Sequence, residues 1–159
     1  MGILVLGLGN LLMSDDALGG RVIEHLQQAY VFDEGVALLD GGTLGLDLLP
    51  RLEGIARLLL VDAVDMRAKP GTIFRLEGEE VPRAFASKLS VHQMGLKDLL
   101  AVAELHGYLP GEILLWGVQP QSIEMCLEMT RPVREALPQV VTGILEDLRR
   151  WGVEWRKAA

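Results

Sequence analysis

Four short stretches of this chain, residues 3–8, 36–39, 55–61 and 113–118, are almost wholly apolar and do not alternate with polar residues. A strand with one wet face alternates, because successive side chains point to opposite sides of the sheet. A strand covered on both faces does not, and reads as a near-continuous hydrophobic run. The pattern therefore points to a mostly parallel sheet held between two helical layers. The apolar half of the composition (50%) and a mean hydropathy of +0.28 agree with such a doubly covered sheet.

The segments between the runs read as helices. From residue 17 to 30, Leu18, Val22, Leu26 and Tyr30 recur every four positions, which marks a helix with one buried face. Gly19 and Gly20 each weaken that helix by up to about 1 kcal/mol relative to alanine, so they are expected to let it approach the sheet closely. A short helical piece is expected over 44–52. Lys69-Pro70-Gly71 marks a turn before a further strand at 72–76. The link from 61 to 72 is too short for a crossover helix, so that strand is expected to be antiparallel. Ser90-Val91-His92-Gln93 has the form of a capping box opening a helix to His106, with Gly107 placed to stop it. The run at 113–118 is expected to be the last strand. A final helix is expected over 131–151, with Val133, Leu137, Val140, Val141, Ile144, Leu145 and Leu148 inward and Pro138 bending it or sitting where a bend is tolerated. The expected fold is α/β and three-layered: a mostly parallel twisted sheet of about five strands, one of them antiparallel, with helices on both faces. With 159 residues, a single domain over 1–159 is expected.

Charge and cysteine content narrow the function. A formal net charge of −7 and a pI near 4.9 argue against nucleic acid, whose binding rests on clustered Lys and Arg. Arg149, Arg150, Arg156 and Lys157 are read as a solvated helix end. No stretch reaches the roughly 18 apolar residues of a membrane span, so no membrane insertion is expected. Asn10, Asp15 and Asp16 interrupt the apolar start and no basic stretch precedes it, so a signal peptide is not expected either. Cys126 is the only cysteine, which suits a reducing, cytoplasmic setting. It has no evident histidine partner and is read as packed rather than nucleophilic. A monomer is expected.

In an open α/β sheet, sites gather beyond the carboxyl ends of the strands, where the strand order reverses. Asp15 and Asp16 follow the first run, Asp62 ends the third, and His92 lies in the first turn of a helix. Two acids and an imidazole leave open positions on a divalent cation, and the set is compatible with nickel, zinc or manganese. The positive end of the helix disfavours imidazolium, so His92 is expected to be neutral and able to ligate. Duller readings exist for each. Asp15 or Asp16 fits a helix cap, Asp62 a turn, and His92 a surface position. His25 and His106 are read as structural or solvent-facing. There is no Gly-x-Ser-x-Gly elbow and no His-Glu-x-x-His. A carboxylate dyad remains conceivable.

Gly7-Leu8-Gly9-Asn10-Leu11-Leu12 after a strand also invites a nucleotide-binding reading, with Asp40 suited to a ribose hydroxyl. Leu12 stands where close helix packing asks for a third glycine. Asp15 and Asp16 stand where a pyrophosphate would arrive, and like charges about 4 Å apart repel by roughly 1 kcal/mol even in bulk water. A cation suits that helix start better than an anion.

The ordered motifs resemble those of the hydrogenase maturation endopeptidases over nearly the whole chain. Gly7-Leu8-Gly9-Asn10-Leu11-Leu12-Met13-Ser14-Asp15-Asp16-Ala17-Leu18-Gly19 is similar to the family's opening, although Ala17 replaces a glycine common in relatives. Asp40-Gly41-Gly42-Thr43-Leu44-Gly45-Leu46-Asp47-Leu48-Leu49 resembles the second motif. Val61-Asp62-Ala63-Val64-Asp65, Ser90-Val91-His92 and Gly117-Val118-Gln119-Pro120 follow in order. The resemblance implies an endopeptidase that removes a short C-terminal peptide from the nickel-loaded precursor of a nickel-iron hydrogenase large subunit. By it, Asp16, Asp62 and His92 are the metal-contacting and catalytic residues. Asp40, Gly41, Gly42 and Thr43 serve substrate recognition, in a form more like the proteases of uptake-type hydrogenases than those of formate-linked complexes. The metal is then nickel presented by the substrate, with no organic cofactor. A non-catalytic metal-delivery or scaffold protein of the same fold is the competing reading.

Overall fold

The computed structural model describes residues 2–86 and 91–159, with side chains at all of these except 85, 86 and 91–97. The first apolar run forms β1 (Gly2–Leu8). A 3-10 turn at Ser14–Ala17 leads into α1 (Leu18–Ala29), followed by β2 (Tyr30–Phe32) and β3 (Val36–Gly42). A second 3-10 turn (Gly45–Leu48) and the short α2 (Leu49–Leu52) precede β4 (Ile55–Ala63). The chain continues through β5 (Ile73–Glu77), α3 (Glu80–Ala86) and α4 (Val91–His106). It closes with β6 (Glu112–Val118), α5 (Arg131–Arg150) and β7 (Trp155–Lys157).

Five strands form one sheet in the order β3-β1-β4-β6-β5. β1 pairs in parallel with both β3 and β4, and β4 pairs in parallel with β6. β5 runs antiparallel to β6, as the short link before it requires. The chain leaves β1 for β3 on one side and later returns to β4 on the other. The strand order therefore reverses between β1 and β4.

Alternate residues of the central strands feed two cores, one on each face. Ile3, Val5, Leu59, Val61 and Leu114 pack with α1 and α5, among them Leu18, Val22, Ile144 and Leu148. Leu4, Leu6, Leu58, Leu60 and Leu115 pack on the other face with Leu48, Leu52, Leu99 and Ala103. Each fully buried Leu or Val contributes roughly 1.5–3 kcal/mol, so covering both faces is what stabilises the unbroken runs as strands. Gly19 seats α1 against the sheet: a Cβ there would lie 2.3 Å from the Leu8 carbonyl oxygen and 2.5 Å from that of Val61. On the same face α5 is fastened by Asp147, which is 2% exposed. Its carboxylate accepts hydrogen bonds from Arg75 Nε and Nη2 (3.1 and 2.8 Å) and from Trp116 Nε1 (2.8 Å).

Several local expectations change. The helix expected to reach Tyr30 stops at Ala29, and Tyr30 opens β2. The run at 113–118 is not the last strand, because β7 pairs antiparallel with β2 as a separate two-stranded ribbon. Arg156 and Lys157 belong to that ribbon rather than to a helix end. Between β5 and α4 lies α3, which the sequence reading lacked. α4 ends at His106 as expected, with Gly107 at φ +75°. Ser90 and the side chain of Gln93, the expected capping pair, lie outside what the structure describes. Pro138 stands inside a continuous α5 on its exposed side, where a missing N–H is tolerated. Among the described residues, no helix is long and apolar enough to cross a membrane.

Candidate active site

The mouth of the molecule is built where β1 and β4 end. Gly9 has φ +111°, and a Cβ there would lie 1.9 Å from the backbone oxygen of Asp16, so only glycine fits. The Asn10 N–H donates to Asp16 Oδ2 (2.9 Å), and Asn10 Oδ1 accepts from the Leu12 N–H (2.9 Å). The loop thus curls around the Asp16 carboxylate, which is 8% exposed. Asp62 is fully buried and stands one place beyond the last β1–β4 pair, Gly7 with Val61, level with Gly117 on β6. Leu58 and Leu60 face the α4 core, so Asp62, two residues on, faces the same side. Asp16 arrives instead with α1 from the opposite layer, and its 3-10 turn packs against β4. Both acids thus lie at the carboxyl edge of the sheet beside the β1–β4 reversal, each carried by its own layer.

His92 is the second residue of α4, and its side chain lies outside the described residues. The helix is about 24 Å long at 1.5 Å per residue and ends where the chain turns into the amino end of β6. Its first turn therefore points to the carboxyl edge, toward the layer that Asp62 faces. Among the residues whose side chains are described, no three His, Cys, Asp or Glu are grouped to hold a metal ion.

Asp15 has a role that the sequence reading missed. Neither the Ser14–Ala17 turn nor α1 has a side-chain cap, so the capping reading of Asp15 and Asp16 does not hold. The fully buried Asp15 carboxylate accepts four hydrogen bonds: from the N–H groups of Gln121 (2.8 Å), Ser122 (3.0 Å) and Thr130 (2.7 Å), and from the Thr130 hydroxyl (2.8 Å). It gathers both ends of the loop over 121–130. Cys126 sits in that loop, exposed rather than packed, and pairs through its backbone with Met13. Gln119, of the Gly117-Val118-Gln119-Pro120 motif, is 6% exposed and holds the loop after β4. Its Oε1 accepts from the N–H groups of Met66 (2.7 Å) and Ala68 (3.1 Å), and its Nε2 donates to Asp65 Oδ1 (3.1 Å).

The segment Asp40-Gly41-Gly42-Thr43 borders the same mouth. Asp40 Oδ1 accepts from the Gly42 N–H (3.0 Å), Gly42 has φ +54°, and its carbonyl accepts from the Gly9 N–H (2.9 Å). Gly41 is buried, whereas Asp40 and Thr43 are exposed. His25, mid-way along α1, and His106, at the end of α4, are both exposed. A cavity of about 600 Å³ opens at the opposite edge, by the amino ends of the strands. Its charged groups are already matched: Arg57 Nε bonds Glu112 (3.1 Å), and Trp151 Nε1 bonds the other Glu112 oxygen (3.0 Å). It offers no free chemistry comparable to the carboxyl edge.

The fold is an open α/β sheet that carries two buried acids, Asp16 and Asp62, at the edge where sheets of this class bind ligands. The family described as hydrogenase maturation protease (HycI) matches residues 20–147. The hydrogenase 2 maturation protease of Escherichia coli (strain K12) is 41% identical over 155 residues, covering 97% of this chain and 94% of that protein. The solved hydrogenase maturating endopeptidase HybD from E. coli superposes with a TM-score of 0.95 at 39% identity, covering 99% of this chain and 98% of that one. The [NiFe] hydrogenase maturation protease HybD from Thermococcus kodakarensis gives a TM-score of 0.76 at 30% identity, over 93% and 99% of the two chains. The chain belongs to the hydrogenase maturation protease family, endopeptidases that act on peptide bonds.

Proposed function

We propose that this protein removes a short C-terminal peptide from the nickel-loaded precursor of a nickel-iron hydrogenase large subunit, working as a single-domain cytoplasmic monomer. In this reading Asp16, Asp62 and His92 contact the nickel that the precursor carries, and Asp40, Gly41, Gly42 and Thr43 recognise the substrate beside it. Nickel enters as part of the substrate. The observation that supports the reading is that two buried acids, carried by opposite layers, lie at the edge where open sheets bind ligands.

The reaction breaks one peptide C–N bond with water, leaving a new C-terminal carboxylate and a released amine. Holding the nickel fixes the nearby peptide bond in the crevice, and positioning of this kind supplies up to about 7–11 kcal/mol of barrier reduction. Asp16→Ala and His92→Ala are expected to abolish shortening of a nickel-loaded precursor, followed by gel and by intact mass. Normal processing by either variant removes that residue from the site. A precursor whose mass never changes in the presence of the wild-type protein supports the metal-delivery or scaffold reading instead.

A further inference from the structure

We propose that the loop over residues 121–130 is a docking platform for the protein substrate, beside the crevice that cuts it; this rests on the endopeptidase reading above. The loop is held tightly from within. Asp15 clamps both of its ends, the Ser122 carbonyl accepts from the Asp15 N–H (3.1 Å), and Ser14 Oγ donates to the Glu124 carbonyl. In the middle, the Cys126 N–H donates to the Leu12 carbonyl and its own carbonyl accepts from the Ser14 N–H, both at 2.9 Å. Every one of these partners lies in the segment that carries Asp16.

Outward, the same loop presents Ile123, Met125 and Leu127, which are 57%, 77% and 66% exposed. Leu12, 54% exposed, stands one place before Met13, so the Met13–Cys126 pairing sets it beside Met125. The hydrogen bonds and the buried Asp15 hold this backbone in place, so the fold has no need of these apolar side chains. Exposed apolar side chains gathered on a firmly held loop mark an interaction surface. Its place on the loop clamped to the segment that carries Asp16 suits a protein substrate that must reach the crevice. The exposed Glu124 and Glu128 interleave with these side chains, so the fitting partner surface is apolar with basic residues at its border.

The test uses the nickel-loaded precursor with Met125→Asp, Leu127→Asp and the double variant. Leu105→Asp serves as control, at an 86% exposed position on α4 near the opposite edge. The double variant is expected to raise KM at least tenfold with kcat within twofold and an unchanged melting temperature, as loss of binding shared by ground and transition states requires. The control should match wild type. An unchanged KM overturns the proposal, and so does a fall in kcat alone. Variants that only dissociate a dimer overturn it too, because the loop then joins two copies of this chain. If the wild-type protein does not shorten the precursor, the endopeptidase reading fails separately. Retention of purified precursor by wild type, with at least tenfold weaker retention by the double variant, would then still support docking, and equal retention would overturn it.

Discussion

Asp15 and Asp16 are neighbours with the same functional group, yet the 3-10 turn sends one to the loop over 121–130 and the other to the Gly9–Asn10 turn at the carboxyl edge. Asp15→Ala would leave three backbone N–H groups and a hydroxyl without their buried acceptor. Hydrogen bonds to a charged group contribute about 1.5–3 kcal/mol each and do not add, so a loss of at least about 3 kcal/mol is expected in urea unfolding. Gly19 offers a test of sign. Helix propensity alone makes Gly19→Ala stabilising by up to about 1 kcal/mol. The contacts with the Leu8 and Val61 carbonyls are with backbone that cannot step aside, so overpacking of about 1–3 kcal/mol should prevail and the variant should melt lower. That Asp62 ends a strand was legible because it directly follows an apolar run, and Asp16 could be set at the same edge because it lies in the loop that leaves the first run. The clamp of Asp15 was not, because its partners lie 106, 107 and 115 positions away. No local spacing encodes a contact at that distance.

The elements that sequence reading found are those whose periodicity outlasts several residues: the doubly buried strands, α1, α4 and α5. The antiparallel β5 was also legible, since a link too short for a crossover leaves one direction. What escaped is short or non-local. β2 and β7 have three residues each and exist only because they pair with one another. α5 shows how a long element depends on a single polar anchor. Asp147→Ala leaves Arg75 (29% exposed) without its buried partner and Trp116 Nε1 without an acceptor. Breaking a buried pair in this way should destabilise by about 3 kcal/mol. Asp147 lies in the last turn of α5, at the end away from the mouth, so kcat measured well below the melting temperature should remain near wild type.

At the scale of the whole molecule, an excess of seven negative charges accompanies an acidic mouth, which favours cations and discourages phosphate-bearing ligands. The mouth itself belongs to neither helical layer. Asp16 is carried in by the α1 layer, and Asp62 turns toward the α4 layer. The site is therefore a seam, and a seam parts as soon as either side loosens. On gradual warming, peptide release should fade several degrees before the far-ultraviolet signal of the helices declines, and should return on cooling from that interval. Coincident loss of both would mean that the two layers melt as one body. If they do not, heat tolerance in such an enzyme is governed by how firmly its two halves are stitched together, more than by how well either half is packed.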